Sequence, residues 1–364
     1  MLSDEYFQKL AFFLISFNNF KAAKKAEKSG YGACVNSSDK IPSKSQLSSF
    51  GYTYDEINNI LNDYNKVALE EINKAESVDV EIIHIEEDDY PQLLKEIYDP
   101  PEFLYVKGDK AVLNSKNTLA IVGSRRNNSY GKDILNAIIP ELCRGDLIIV
   151  SGMAYGIDSI AHSLTVKNNG KTIGVNAGGL LHIYPKGNST LFPHIVNNGC
   201  IISEFPIDVI PRPFYFPIRN RIISGISKAV FVVQATLRSG SLITARVALE
   251  QNRDVFTTPG HIYSPLSYGP HYLLKQGAKL IENGADILEE FGINLETQKP
   301  KNIYLTKNEI KLLDLMDDYG VKRVDYFIEN SDFNISEIIS ILMGLVLKGV
   351  LIENEQGYRR IGNE

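Results

Sequence analysis

Arginines gather in this chain where a protein would hold an anion. Residues 216–245 read FPIRNRIISGISKAVFVVQATLRSGSLITA, with Arg219, Arg221 and Arg238 near the turn Ser239-Gly240-Ser241. Charged side chains are seldom buried without a partner. Either these have acids within the fold, Glu204 being one such partner, or they meet an anion from outside. The pattern predicts a helix opening at Arg219-Asn220-Arg221, where cations oppose the helix dipole but suit a bound phosphate. A second helix is expected to open at Ser239-Gly240-Ser241 and to run through Thr244 to Glu250, another place for an anion.

Two further stretches carry similar chemistry. IVGSRRNNSYG leaves a strand at Gly123 and enters a helix near Tyr130. Backbone N–H groups at such a turn can hold a phosphate, and Ser124, Arg125 and Arg126 stand beside them; solvated arginines on a tight turn are the plainer alternative. The loop HIYPKGNSTLF offers Tyr184, Lys186, Asn188 and Phe192. A cation interleaved with aromatics suits single-stranded nucleic acid, whose bases stack and whose phosphates need neutralising; a proline-kinked loop with a packed tyrosine is the alternative. In SGMAYGIDSIAH, Asp158 is placed to start a helix. His162 lies on that helix with no nucleophile tied to it, which points to a structural histidine rather than a general base.

Several chemistries are missing from the pattern. There is no G-x-G-x-x-G and no acidic residue ending the second strand, so no dinucleotide site is expected. There is no G-x-x-x-x-G-K-[ST] either. The six histidines show no pairing with carboxylates at ligand spacing, so neither metal nor cofactor is expected.

The elements that must position these residues are legible. TLAIVG (118–123), LIIVSG (147–152), KTIGVNAGG (171–179), CIISEFP (200–206), AVFVVQA (229–235) and DVFTTPG (254–260) are short apolar runs, mostly separated by helical stretches. Such runs imply a parallel sheet covered on both faces, with ligands beyond the carboxyl ends of its strands. Those ends carry Gly123 to Arg126, Ser151-Gly152, Gly178-Gly179, Ser203-Glu204, Ser239 to Ser241 and Pro259-Gly260, all on one rim. Strands are also expected in VDVEIIHI and at Phe103–Val106. Residues 1–75 read as a small helical domain, with Ile57, Ile60, Leu61, Tyr64, Val67 and Leu69 at helical spacing. From about Asn302, three helices and a hairpin turning at Glu355–Gly357 resemble a winged helix–turn–helix.

Composition fits this reading. Of 364 residues, 44% are apolar and 23% charged, as in ordinary globular proteins. No run reaches the roughly 20 apolar residues of a membrane span. The opening MLSDEYFQKLAFFLISFNNF lacks a basic region and a cleavage site and reads as a first helix. Three separated cysteines argue against a disulfide framework, and a cytoplasmic setting is expected. The net charge of −6 is uneven: residues 118–286 hold 16 lysines and arginines against 10 acids, residues 1–117 hold 13 against 20, and residues 287–364 hold 9 against 14. An anionic ligand is therefore expected in the middle.

Taken in order, IVGSRR, SGMAYGIDSIAH, GGLLHIYPKGN, SEFP, FPIRNRIISGIS, SGSLITARVALEQNRDVFTTPG and GPHYLLKQGAKLI resemble the DNA-processing protein A family over about residues 88–290. Asn176, in GVNAGG, departs from the plainer apolar strand usual there. The resemblance implies an α/β fold: an extended Rossmann-like parallel-sheet core (76–298) between a helical, sterile-alpha-motif-like domain (1–75) and a winged-helix-like domain (299–364). It implies a protein that binds single-stranded DNA, protects incoming strands in natural transformation and loads the RecA recombinase. It assigns the basic pocket to Arg125 and Lys186, and self-association as a homodimer to the segment holding His271, Leu274 and Leu280. The acidic C-terminal region, whose last helix carries only Lys348 near its end, suggests a protein contact rather than duplex DNA. The other reading is an enzyme related to Rossmann-like nucleotide hydrolases. SGSLITARVALE keeps Thr244 and Glu250 but lacks that group's paired glycines.

Overall fold

Short strands that are apolar on both faces need cover on both sides, and the chain provides it by alternating them with helices. The computed structural model describes residues 4–18, 64–294, 305–316, 320–348, 350–354 and 357–360, together with Thr53, Asp55 and Asn58. The expected positions Ile57, Ile60 and Leu61 lie outside these. The chain divides into two units, Met1–Leu295 and Glu296–Glu364.

The described elements of the first unit are α1 (Asp4–Asn18), α2 (Tyr64–Glu76), β1 (Glu81–His84), α3 (Gln92–Lys95), β2 (Phe103–Gly108), β3 (Thr118–Val122), α4 (Ser129–Arg144), β4 (Ile148–Ser151), α5 (Ile157–Lys167), β5 (Thr172–Val175), α6 (Phe192–Asn197), β6 (Gly199–Ser203), α7 (Tyr215–Gly225), β7 (Ala229–Val232), α8 (Gly240–Glu250), β8 (Asp254–Thr257), α9 (Tyr268–Lys275), β9 (Lys279–Leu280) and α10 (Gly284–Glu290). The strands form one sheet in the order β1-β2-β6-β5-β4-β3-β7-β8-β9. From β6 to β9 all neighbours run parallel. β2 pairs antiparallel with both β1 and β6. Along β3, Ala120 and Val122 enter the core on one face, and Leu119 and Ile121 the core on the other. This is the mixed α/β, Rossmann-like arrangement that the apolar runs predict.

The topology makes a crevice. From β3 the chain steps outward through β4, β5 and β6, then returns to β3's other side at β7. Helices on either side of such a reversal diverge, leaving a gap beyond the carboxyl ends. At the far edge, α1 and α2 share a core with the sheet: Leu10, Ala11, Leu14 and Ala68 close over Phe103 of β2.

His162, on α5, is fully buried. Its Nδ1 lies 2.7 Å from the Thr172 hydroxyl, which itself donates to the Ile149 carbonyl. Burial pulls its pKa down to about 3 from 6.5. Between those values the unfolded chain binds a proton that the native ring refuses. His162 therefore lowers stability as pH falls from about 6.5 towards about 3, by up to about 1.4 kcal/mol per pH unit. Urea melts between about pH 7 and about pH 4 should show a shallower acid loss in His162→Gln than in the wild type. Equal slopes would discard this account.

The second unit contains α11 (Lys307–Leu313), β10 (Val321–Lys322), α12 (Val324–Asn330), α13 (Ile335–Leu347), β11 (Leu351–Asn354) and β12 (Gly357–Arg360). Its strands pair antiparallel in the order β10-β12-β11. Leu312, Phe327, Ile338, Leu342, Leu345 and Tyr358 form its core. Capping boxes start α11 at Thr306 and α13 at Asn334. The outer face of α13 is apolar, with Ile335, Ile339, Met343 and Leu347 exposed at every fourth residue.

Candidate nucleic-acid interface

The crevice is a cleft of about 670 Å³. Its walls come from the β3–α4 turn (Gly123 to Arg126), from Ala154 and Asp158 after β4, from Tyr184 after β5, from α7 (Phe216, Arg219, Asn220), and from the start of α8 (Ser239, Gly240, Ser241, Thr244). Of the rim segments named from sequence, Gly123 to Arg126 and Ser239 to Ser241 line the cleft, while Ser151-Gly152, Gly178-Gly179, Ser203-Glu204 and Pro259-Gly260 do not; three arginines and one acid are among its lining residues.

The arginines do different work. Arg125 is exposed, and its guanidinium lies 5.3 Å from the centre of the Phe216 ring. Tyr184 meets the same ring edge-on, with centroids 5.3 Å apart. A cation over one aromatic ring, with a second ring packed against it at a cleft mouth, can hold a phosphate and stack a base. Phe216 belongs to the FPIRNR run, but residue type alone does not single it out; its place between Tyr184 and the arginines comes from the α7 geometry. Arg126 is exposed on the same turn.

Arg219 is a structural cation. It is 3% exposed and donates to the Gly152 carbonyl at 2.5 Å and to the Val175 carbonyl. Its Nε donates to the Asn220 side chain at 3.2 Å. The guanidinium thus ties together the ends of β4 and β5. Burial lowers its pKa to about 10, and the nearby Asp158 opposes that fall. Asp158 is buried too and accepts the Gly152 N–H at 3.2 Å. Burial raises its pKa, while Arg219 pulls the other way. Gly152 has no room for a side chain, because a Cβ there would lie 2.7 Å from both terminal nitrogens of Arg219.

The expected helix start at Arg219 is corrected. α7 begins at Tyr215, so Arg219 and Arg221 sit in its interior. Pro217 stays within the first turn, where its missing N–H is tolerated. Arg221 does not line the cleft: it pairs with Glu204, and its Nε lies 3.2 Å from the Asp99 carboxylate. That is the acid-partner alternative left open for this segment.

The β3–α4 turn also differs from the expected phosphate cradle. Gln234, at the end of β7, is 2% exposed. Its carbonyl accepts the Ser124 N–H at 2.7 Å, its Oε1 accepts the Asn128 N–H at 3.3 Å, and its Nε2 donates to Asn128 Oδ1 at 2.6 Å. The Arg126 N–H goes to Ser124 Oγ. The turn's backbone donors are largely spent on its own rigidity, so anion contact falls to the arginine side chains. Sequence reading missed Gln234, since a glutamine ending an apolar strand carries no local signal. At the other wall, Ser239 caps α8 by accepting the Ser241 N–H, and the two hydroxyls are 2.7 Å apart. This helix N-terminus opens into the cleft as expected.

On the Tyr184 loop, Lys186 is exposed and stands outside the cleft lining. Asn188 is committed to the backbone: its Nδ2 donates to the Met153 carbonyl at 2.8 Å. Asn176 is buried, and its Nδ2 donates to the carbonyls of Gly178, Gly179 and His182. It pins the loop that leads to Tyr184. The loop is also zipped to the segment entering α7, through Gly179 N–H to Val209 and Leu181 N–H to Ile207. The Ile207 N–H in turn donates to Glu71 of α2 at 2.8 Å.

Glu250 closes α8 at the end remote from Ser239 and is exposed beside Arg246. Of the segment named for self-association, Leu280 is 41% exposed on the terminal strand. Leu274 is half-buried, and His271 Nε2 bonds the Gly260 carbonyl. Among the described residues, no cluster of three or more histidines, cysteines and acids could hold a metal ion. Among the same residues, no helix is long and apolar enough to cross a membrane.

Comparison with known proteins agrees with this geometry. The family profile of DNA recombination-mediator protein A matches residues 81–292. DNA processing protein DprA of Bacillus subtilis is 47% identical over 211 residues, 58% of this chain and 71% of the relative. The structure of DNA processing protein A from Streptococcus pneumoniae superposes with a TM-score of 0.61 at 33% identity, covering 80% of this chain and 98% of that one. DNA processing protein A from Helicobacter pylori, described for its single-stranded DNA binding mode, has a TM-score of 0.53 at 32% identity over 58% of this chain and 95% of that one.

Proposed function

The chain belongs to the DNA recombination-mediator protein A family, and from that membership we propose that it binds single-stranded DNA in the switch-point cleft as a recombination mediator, without catalysis. The observation that carries this reading is Arg125 over the Phe216 ring, which Tyr184 meets edge-on, at the mouth of a cleft whose lining holds one acid, the buried Asp158. Arg125, Arg126 and Lys186 neutralise phosphates, the two rings stack bases, and the start of α8 takes a further phosphate. The family resemblance extends this to protection of incoming strands in the cytoplasm during transformation, and to loading of the RecA recombinase. In the same reading, two copies associate through the α9–β9 segment around Leu274 and Leu280. The second unit is a winged-helix-like module whose apolar α13 face meets protein rather than duplex DNA.

The test is binding of fluorescent oligo-dT against matched duplex over a range of salt. Three or four neutralised phosphates give a log–log salt slope of about −2 to −3 for a single strand. The strand should bind more tightly than the duplex. Equal affinity for duplex, or binding that ignores salt, would overturn the reading.

A further inference from the structure

A second cavity opens on the same rim. Its volume is about 520 Å³, and Asn128, Tyr130, Pro259, His261 and Ser264 are among its walls. The turn that supplies Arg125 and Arg126 to the first cleft supplies Asn128 and Tyr130 to this one. Tyr130 follows Arg126 by four positions, so the chain between them spans at most about 14 Å. The two openings therefore adjoin one arginine-bearing turn.

Aromatic side chains recur here, with no lysine or arginine among the lining residues. Tyr130 is 41% exposed, and its hydroxyl donates to the Pro259 carbonyl at 2.8 Å, fixing the ring at the wall. His261 and Tyr263 form a tilted ring pair with centroids 5.5 Å apart, and Tyr263 is 79% exposed. The Tyr263 N–H donates to His261 Nδ1 at 3.3 Å. In the neutral ring the proton then sits on Nε2, leaving a donor for a carbonyl oxygen of a base.

We propose that this cavity is a second base-binding subsite, and that a bound strand passes the Arg125–Arg126 turn from the switch-point cleft to reach it. The proposal rests on the strand-binding reading above and adds the direction in which the strand leaves the cleft. One base stacks among Tyr130, His261 and Tyr263, while Arg126 holds the phosphate between the two openings.

The experiment is a length series of oligo-dT on the full chain, comparing wild type with Tyr263→Ala. Tyr263 is exposed enough for the change to leave the fold intact. Wild-type affinity should rise with length once a strand fills both openings. Tyr263→Ala should lose roughly tenfold on long strands, the worth of one stacked base, with short-strand affinity unchanged and the light-scattering mass unaltered. Ultraviolet cross-linking of a long strand should mark the peptide holding His261 and Tyr263. An unchanged length dependence, or a loss that tracks a fall in mass, would overturn the subsite and make this face a contact between copies. A wild type that binds no oligo-dT of any length would instead sink the strand-binding reading and the subsite with it.

Discussion

Changing both Arg125 and Lys186 to glutamate lowers affinity for oligo-dT by about a hundredfold or more. A hydrogen bond to a charged group is worth about 1.5–3 kcal/mol, so losing two reaches that factor before the repulsion added by the new charges is counted. Both side chains are exposed, and Arg125 lies beside the Phe216 ring rather than within the core. The thermal melt should therefore stay where it was. The salt slope should shrink by about 0.7 for each phosphate that no longer meets a cation. Wild-type affinity in the double variant would place the strand elsewhere.

Arg219→Met has the largest expected effect on the fold. It keeps most of the volume but removes the donors to the Gly152 and Val175 carbonyls and leaves Asp158 buried without its nearest cation. Leaving two buried carbonyls without their donor costs about 1–3 kcal/mol each, a large share of a domain's stability. Arg219→Lys should recover only part of it, since one ammonium cannot span two carbonyls and keep the guanidinium's place 5.9 Å from the Phe216 ring centre. Adding Asp158→Asn to Arg219→Met should restore some stability by removing the stranded charge. A urea midpoint within error of wild type for Arg219→Met would refute this role.

The parallel sheet was readable because its strands are apolar on both faces and end in small or polar residues. The run TLAIVG contains the observed strand Thr118–Val122, and the glycine that follows begins the cleft wall. Charge asymmetry likewise pointed to the middle of the chain. The division of labour among the arginines was not readable. Arg125 and Arg219 have the same side chain, and only the fold shows that one is exposed and the other stitches two strand ends together. Arg221 meets Asp99 and Glu204 across 122 and 17 residues of sequence, separations at which spacing carries no signal. Gln234 acts through its backbone carbonyl as much as its side chain, and a backbone group leaves no trace in residue type.

The bond from Ile207 to Glu71 has a consequence for time rather than place. The same segment holds Leu181 and Gly179 on the loop before Tyr184, so α2 and the cleft wall are links in one chain of hydrogen bonds. Such links open as a unit in local unfolding. Native-state hydrogen exchange should then find the Ile207, Leu181 and Gly179 amides exchanging at similar rates.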